Sequence, residues 1–452
     1  MTTISPTSQR SPFNPGYLTI GQTVFSEDYL LDLAKTSGFL KRIPRKIDAC
    51  GLLASICAEC LNGSPSYNDL AASMETRHPD CGPSRQAVAL RLNESFEIFI
   101  EHLLGDIIAH KLAGEDARTG ALPERFCGYR RVLVQDSTVI KLPLHLFAEF
   151  SGVSNGQSSV CNARIQATYD LIPSRLVGFS IDPYSKNDLA AAPELAIQKG
   201  DLVLRDRGYL TADEVRRHQA AGAHCIYRHK TGTTYLDPES LQPIDLPALL
   251  QSRQRLDMEV VLNNPSRTSV RLVAAPVDEQ TANLRRMKAK RETRGHNPSK
   301  AVLELMDWTI FITTIPAGLA DFTRILAIYG LRWRIEIIFK AWKSHMNFHL
   351  LHRLSKRQMM ILLKARLLLI TCATNILHGP LAAALRHGYG RRLSLLKFMR
   401  YLSVGPANFL RALRSLSTDD AQARAFHKAL VRYCCYDKRK RQNYSQVWEA
   451  LA

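Results

Sequence analysis

From about residue 26 to 115, apolar positions recur every three or four residues, the spacing of amphipathic helices. Inside this region "SYNDLAASMETRHPDCGPSRQAVALRLNESFEIFIEHLL" breaks at "HPDCG", and Ser66 and Ser84 stand where N-caps belong. A short helix, a turn and a second helix opening at "PSRQA" have helix-turn-helix proportions. That arrangement would turn Arg85, Gln86 and Arg91 toward DNA, although a plain helical hairpin with a solvated face reads the same way. From residue 131 the period changes. "RVLVQDSTVIKL", "NARIQATYDLI" and "SRLVGFSID" read as strands, "DLAAAPELAIQ" as a helix, and "DLVLRDRGYL" as a fourth strand ending at Asp206. "TADEVRRHQAAG" reads as a helix capped by Thr211 and stopped by Gly222, and "AHCIYRHK" as a fifth strand. Strands and helices in this order predict an α/β layer with mixed pairing.

Residues 231–307 are richer in turns. They hold two short strand patterns, "MEVVLNN" and "SVRLVAAP", and then the charged "NLRRMKAKRETRGHNPSKA", which predicts a β-rich insertion with an exposed basic arm. "DWTIFITTI" returns to strand, and "DFTRILAIYGLRWRIEIIFKAWKSH" reads as one helix; helical patterns then run from 355 to the end. The domains expected are a disordered start (1–25), a helical DNA-binding domain (26–125), a core in two pieces (126–230 and 308–378) around the insertion (231–307), and a basic helical region (379–452). No internal repeat is visible.

With 452 residues the chain exceeds what one compact core accommodates. Lys and Arg number 60 against 41 Asp and Glu, a formal charge of +19, and such an excess calls for a polyanionic partner, most simply nucleic acid. Residues 1–20 are rich in Ser, Thr and Pro and lack the apolar core of a signal peptide. The most apolar stretch, "MMILLKARLLLITCATNIL", is interrupted by Lys364 and Arg366, and reads as a buried helix instead of a membrane span. The ten scattered cysteines suggest reduced thiols in a cytosol; "CAEC" (Cys57, Cys60) lacks a second pair at zinc-site spacing and reads as helix packing.

Among the acids, Asp136 and Asp206 stand at strand ends, where the sheet pins the backbone beneath them; Asp170, Asp182, Asp188 and Asp201 are rivals on the same segment. The stretch "YGLRWRIEIIFKAWK" carries one acid, Glu336, among cations. At about 100° per residue, Tyr329, Arg332, Glu336 and Lys343 fall on one stripe with Lys340 beside it, while Ile335, Ile338 and Trp342 face a core. Three carboxylates suit Mg²⁺ or Mn²⁺, and the cations beside Glu336 suit DNA phosphates.

The spacing Y-x2-R-x3-E-x6-K, matched by Tyr329, Arg332, Glu336 and Lys343 within "RWRIE…KAWK", resembles the signature of cut-and-paste DDE transposases of the insertion-sequence-4 family, Tn-five-like enzymes included. The resemblance covers about residues 130–350. It implies a ribonuclease-H-like core with a β-rich insertion before the Glu, and Asp136 (in "QDST"), Asp206 (in "RDRGY") and Glu336 as catalytic, metal-holding acids. The ions would be Mg²⁺ or Mn²⁺, two per site, and Tyr329, Arg332, Lys343 and Lys340 would contact DNA. Trp308, 21 residues before Tyr329, matches a tryptophan that stacks on a flipped base; Arg228, 22 residues after Asp206, matches an arginine near the cleaved DNA, with Lys230 assisting. The expected partners are the terminal inverted repeats, target DNA and a second subunit, in a bacterial cytoplasm at the nucleoid. A structure-specific nuclease on the same core, or a catalytically silent DNA-binding derivative, are the alternatives.

Overall fold

The computed structural model describes residues 25–42, 46–76, 82–109, 126, 128–152, 159–191, 195–292, 297–351, 354–418, 420–437 and 446. The start read as disordered lies, up to residue 24, outside them. The strands are β1 (Arg131–Lys141), β2 (Asn162–Asp170), β3 (Arg175–Pro183), β4 (Asp201–Arg205), β5 (His224–Arg228), β6 (Tyr235–Leu236), β7 (Leu256–Leu262), β8 (Ser269–Pro276) and β9 (Trp308–Thr313). With the helices around them they make a mixed α/β protein. The chain divides into two compact units. One comprises Met1–Leu122, Ser137–Asn187 and Arg334–Ser445, and the other Pro123–Asp136, Asp188–Trp333 and Gln446–Ala452.

In the first unit the helices expected between 26 and 115 are present. Ser66 and Asp69 form a reciprocal capping box at the start of the Tyr67–Glu75 helix, and the Ser84 hydroxyl accepts from the Ala87 N–H at the start of Arg85–Arg91, caps worth about 1 kcal/mol each. The strand order here is β3-β2-β1, with β2 and β3 an antiparallel pair. The Lys356–Thr371 helix continues through a π-helical turn, Cys372–His378, into Gly379–Tyr389. It is long and apolar enough to cross a membrane, yet 94% of its apolar window is buried inside the protein. The two cations that interrupt its apolar run find partners within the unit: Lys364 pairs with Glu97 at 2.7 Å and Glu101 at 3.2 Å, and Arg366 donates to the Gly63 carbonyl at 2.7 Å. Cys57 and Cys60 belong to the Ala49–Asn62 helix, with Cys60 fully buried.

In the second unit the order is β1-β4-β5-β9-β8-β7-β6. β1, β4 and β5 run parallel, and every later neighbour is antiparallel. The start of the parallel pair is pinned by charge. Asp201 is fully buried and accepts from Arg131 at 2.6 Å and Arg130 at 3.1 Å, as well as from the Gln198 N–H. The Ala212–Ala220 helix, capped by Thr211, packs over β5, and Gly222 ends the connection at φ +66°, a conformation glycine adopts without strain. An apolar core of Val215, Tyr227, Val260, Leu272 and Ile312 lies under that helix.

Three local expectations change. Of the helix read over 188–198, Asp188–Ala191 is helical, residues 195–198 are irregular, and 192–194 lie outside the described residues. The segment 231–307 holds helices as well as strands, and β7 and β8 extend the main sheet by pairing onto β9. The charged stretch read as an arm is a helix, Glu279–Glu292, with an acid in its first turn and Lys290 and Arg291 in its last, as the helix dipole favours.

Candidate active site

β1 and β4 pair in parallel from Arg131↔Asp201 to Gln135↔Arg205. Asp136 is the next residue of β1, and Asp206, in extended backbone, directly follows β4. Side chains alternate across a sheet, so both acids lie on the face of Val134 and Leu204, from backbones about 5 Å apart. The opposite face explains why the tip of β4 is rigid. Arg205, 1% exposed, makes an ion pair with Glu214 of the Ala212–Ala220 helix and lies 5.5 Å from the Tyr209 ring. Neither Arg205 nor Glu214 has a sequence signal beyond being charged.

Asp136 is held by Arg332, whose Nη1 donates to Oδ2 at 2.8 Å. Arg332 also lies 5.7 Å from the Tyr329 ring, which packs on Phe311 at 4.9 Å. The Tyr329 hydroxyl, expected to meet DNA, donates to the Arg205 carbonyl at 3.3 Å, and the residue is buried. Burial pushes its phenol well above the usual value, against Arg332 and Arg228 and with Asp206 and Asp136, so it remains a donor. The loop before Tyr329's helix is braced by buried Arg271, which bonds Asp257 and the carbonyls of Ile315 and Ala320.

The single helix read from Asp321 to His345 is two. Phe322–Gly330 ends in a tighter turn, with Leu331 N–H on the Ile328 carbonyl and Arg332 N–H on the Tyr329 carbonyl, and Trp333–His345 starts anew. The stripe of Tyr329, Arg332, Glu336 and Lys343 is therefore divided: the first two belong to the second unit, the last two to the first. Ile335, Ile338 and Trp342 are buried, as the pattern predicts. Lys343 donates to the Val139 carbonyl at 2.8 Å, and burial lowers its ammonium below the ordinary lysine value. Lys340 is exposed. Among the described residues no three Asp, Glu, His or Cys side chains are grouped as a ready-made ligand set.

Beside Asp206 the second unit contains a cavity of about 710 Å³. Arg228, Arg285, Lys288 and Arg332 supply cations to its lining, and Trp308 and Met306 apolar surface. Trp308, the first residue of β9, is partly exposed there; Arg228 ends β5 and is exposed, as is Lys230. Arg285 and Lys288 are additions to the expected set. In the sequence they are two cations in a run of several, and only the fold turns them toward Trp308.

Of the rival acids, Asp201 is consumed by Arg130 and Arg131, Asp182 by Lys186 at 2.6 Å, and Asp170 is buried and accepts from the Ile172 N–H. Asp188 opens the short Asp188–Ala191 helix. In the amino-terminal helices Arg85 and Gln86 are exposed. Arg91 is not available in the same way: it donates to the Phe39 carbonyl at 3.3 Å and lies 5.2 Å from that ring.

Residues 129–376 match the family described as Transposase DDE domain. The chain is 28% identical over 347 residues to the transposase for insertion sequence element IS231D of Bacillus thuringiensis subsp. finitimus, covering 71% of each chain. It is 25% identical over 346 residues, again 71% of each, to the IS231B transposase of Bacillus thuringiensis subsp. berliner. A solved structure, the piggyBac transposase synaptic complex with hairpin DNA, overlays with a TM-score of 0.44 at 11% identity, covering 92% of this chain and 84% of that one.

Proposed function

This chain belongs to the Transposase DDE domain family, and from that premise we propose that it excises an insertion sequence by cut-and-paste chemistry and inserts it into target DNA. The observation that carries the proposal is the register of β1 and β4, which roots Asp136 and Asp206 side by side on one face. The strand orders β3-β2-β1 and β1-β4-β5, with the last three parallel, support a ribonuclease-H-like core. Glu336 is the third acid. Its support is the Lys343–Val139 bond, which ties the Glu336 helix to the strand that carries Asp136.

Asp136 and Asp206 offer partly exposed hard oxygen donors, a set that fits Mg²⁺ or Mn²⁺. Those two acids and Glu336 would hold the ions, two per site, which when bound stabilise the entering and leaving oxygens of a phosphodiester displacement. Arg332 holds the Asp136 carboxylate in place until a DNA phosphate competes for the guanidinium. Tyr329 positions the tip of β4 through the Arg205 carbonyl. Lys340 and Lys343 meet neighbouring phosphates, Trp308 stacks on a base displaced at the element's end, and Arg228, aided by Lys230, lies along the cleaved strand.

Water adds to phosphorus as the bond to the 3′ oxygen breaks, leaving a 3′-OH on the element and a 5′-phosphate on the flank. That 3′-OH attacks the opposite strand and releases the flank, closing a hairpin on the element's end. A second water opens the hairpin, and the restored 3′-OH attacks target DNA. The terminal inverted repeats are read by the amino-terminal helices, Arg85 included, with two subunits bridging the ends. The test is to incubate the protein with Mn²⁺ and a duplex bearing the inverted repeat from the DNA flanking its gene. A hairpin product is expected. Simple cuts without hairpin or strand transfer would mean a nuclease, and binding without cutting a silent derivative.

A further inference from the structure

We propose that Arg285 and Lys288, on the Glu279–Glu292 helix, join Arg228 to form a binding site for one DNA backbone phosphate next to the base held at Trp308. The proposal rests on the transposase reading above. Arg228, Arg285 and Lys288 line the same cavity as Trp308 and Asp206. Among the described residues, neither Arg228 nor Arg285 has a carboxylate within ion-pair distance. The contrast with the next residue is informative: Arg286 pairs with Glu279 and Asp307. Arg285 instead points inward, donating from Nη1 to the Trp308 carbonyl at 2.8 Å and from Nη2 to the Thr309 hydroxyl at 3.1 Å. These two bonds use two of a guanidinium's five N–H donors and leave three for a ligand. Burial, and then the nearby Arg228, pull the Arg285 guanidinium below its usual value, with Asp278 opposing them. Glu292, which also lines the cavity, pairs with Lys288 at 3.6 Å, but Arg228 and Arg285 have no such ion pair among the described residues; like charges held near each other are stabilised by a bound anion, and arginine suits phosphate best.

The same contacts explain why the phosphate belongs beside the stacked base. Arg285 grips the backbone of the residue whose ring lines the cavity, so the phosphate site and the aromatic surface share one rigid mount. The segment between β5 and β9 would then act in the active site itself.

The experiment scans an end-bearing duplex with neutral methylphosphonates, one position at a time, and measures affinity for wild type, Arg285→Gln, Lys288→Gln and Lys290→Gln. Wild type is expected to lose about tenfold at one position near the cleaved end. Arg285→Gln should bind the unmodified duplex about tenfold more weakly, become indifferent to that position, and show a salt dependence shallower by about 0.9 in log–log slope. Lys288→Gln should act the same way to a smaller degree. Lys288 is exposed, so this variant reports on the site even if Arg285→Gln unfolds. Lys290→Gln, on the same helix but outside the cavity lining, should keep the wild-type profile. Wild-type affinity and profile in both cavity variants, or a loss spread evenly over all phosphates, would overturn the proposal. A wild type that neither binds nor nicks the duplex would instead overturn the transposase reading.

Discussion

Removing one oxygen atom separates two roles for Tyr329. In the Tyr329→Phe variant the ring keeps its place against Phe311 and Arg332, and the 3.3 Å bond to the Arg205 carbonyl disappears. A neutral hydrogen bond contributes about 0.5–1.5 kcal/mol net, and this one, at 3.3 Å, is longer than the usual O–H···O distance and so not at the strong end. The expected cost is therefore about 1 kcal/mol of stability, a fall in Tm of about 2–4 °C for a domain of this size. If the hydroxyl acts only by fixing the tip of β4, the nicking rate at saturating DNA and Mn²⁺ falls by no more than about fivefold, the same free energy expressed as a rate. If it instead donated to a phosphate in the transition state, a charge-assisted bond of about 1.5–3 kcal/mol would vanish and the rate would drop by about 10- to 100-fold. The assay is single-turnover nicking of an end-bearing duplex alongside a thermal melt. A hundredfold slower reaction with an unchanged melt would refute the positioning role.

Glu214→Ala strips a buried guanidinium of its partner, since Arg205 is 1% exposed; urea unfolding should show a loss of about 3–5 kcal/mol, and a loss below 1 kcal/mol would contradict the pairing. Burial lowers the His218 imidazole to about 4, with Arg205 and Arg217 adding to the effect and the Glu214 carbonyl opposing it. Its folded form resists a proton that the unfolded chain accepts near pH 6.5, so stability is full above that pH and falls as pH drops toward 4, by at most about 1.4 kcal/mol per pH unit. Urea midpoints measured across that window should decline, and His218→Gln should decline less steeply. Trp308→Ala should slow hairpin formation more than the first nick, by roughly 1–3 kcal/mol of lost stacking, which time courses resolving nicked and hairpin products will show.

Much of this is legible in the sequence because it is local. Ser66, Ser84 and Thr211 announce their helices through side-chain oxygens next to the turns they cap, and strands such as β4 declare themselves by the apolar run Leu202–Leu204. The position of Asp206 follows from the end of such a strand, whereas Asp136, expected at a strand end, lies in the middle of β1 because that strand runs on to Lys141. What is not legible depends on distant pairing or on a subtle backbone change. The break after Tyr329 has no proline to mark it, only a tighter turn between two runs that are each helical. The Glu279–Glu292 helix lacks an apolar stripe, with Leu284 and Met287 exposed, so its sequence resembles a solvated arm. Arg286 finds Asp307 21 residues on, and Arg285 finds the backbone of Trp308; nothing in a run of cations distinguishes them until β9 is placed. The spacing of Arg332 points to phosphate, and its bond to Asp136 is visible only in the fold.

The proposed function requires Asp136, Asp206 and Glu336 to act together as one ion-binding centre on DNA. Mn²⁺ titration of the complex with an end-bearing duplex, followed by electron paramagnetic resonance, tests it most directly in wild type, Asp136→Asn, Asp206→Asn and Glu336→Gln. Each single variant should bind the duplex as wild type does, lose tight Mn²⁺ sites, and nick at least about a thousandfold more slowly. A Glu336→Gln complex that retains every Mn²⁺ site and nicks at the wild-type rate would contradict the account.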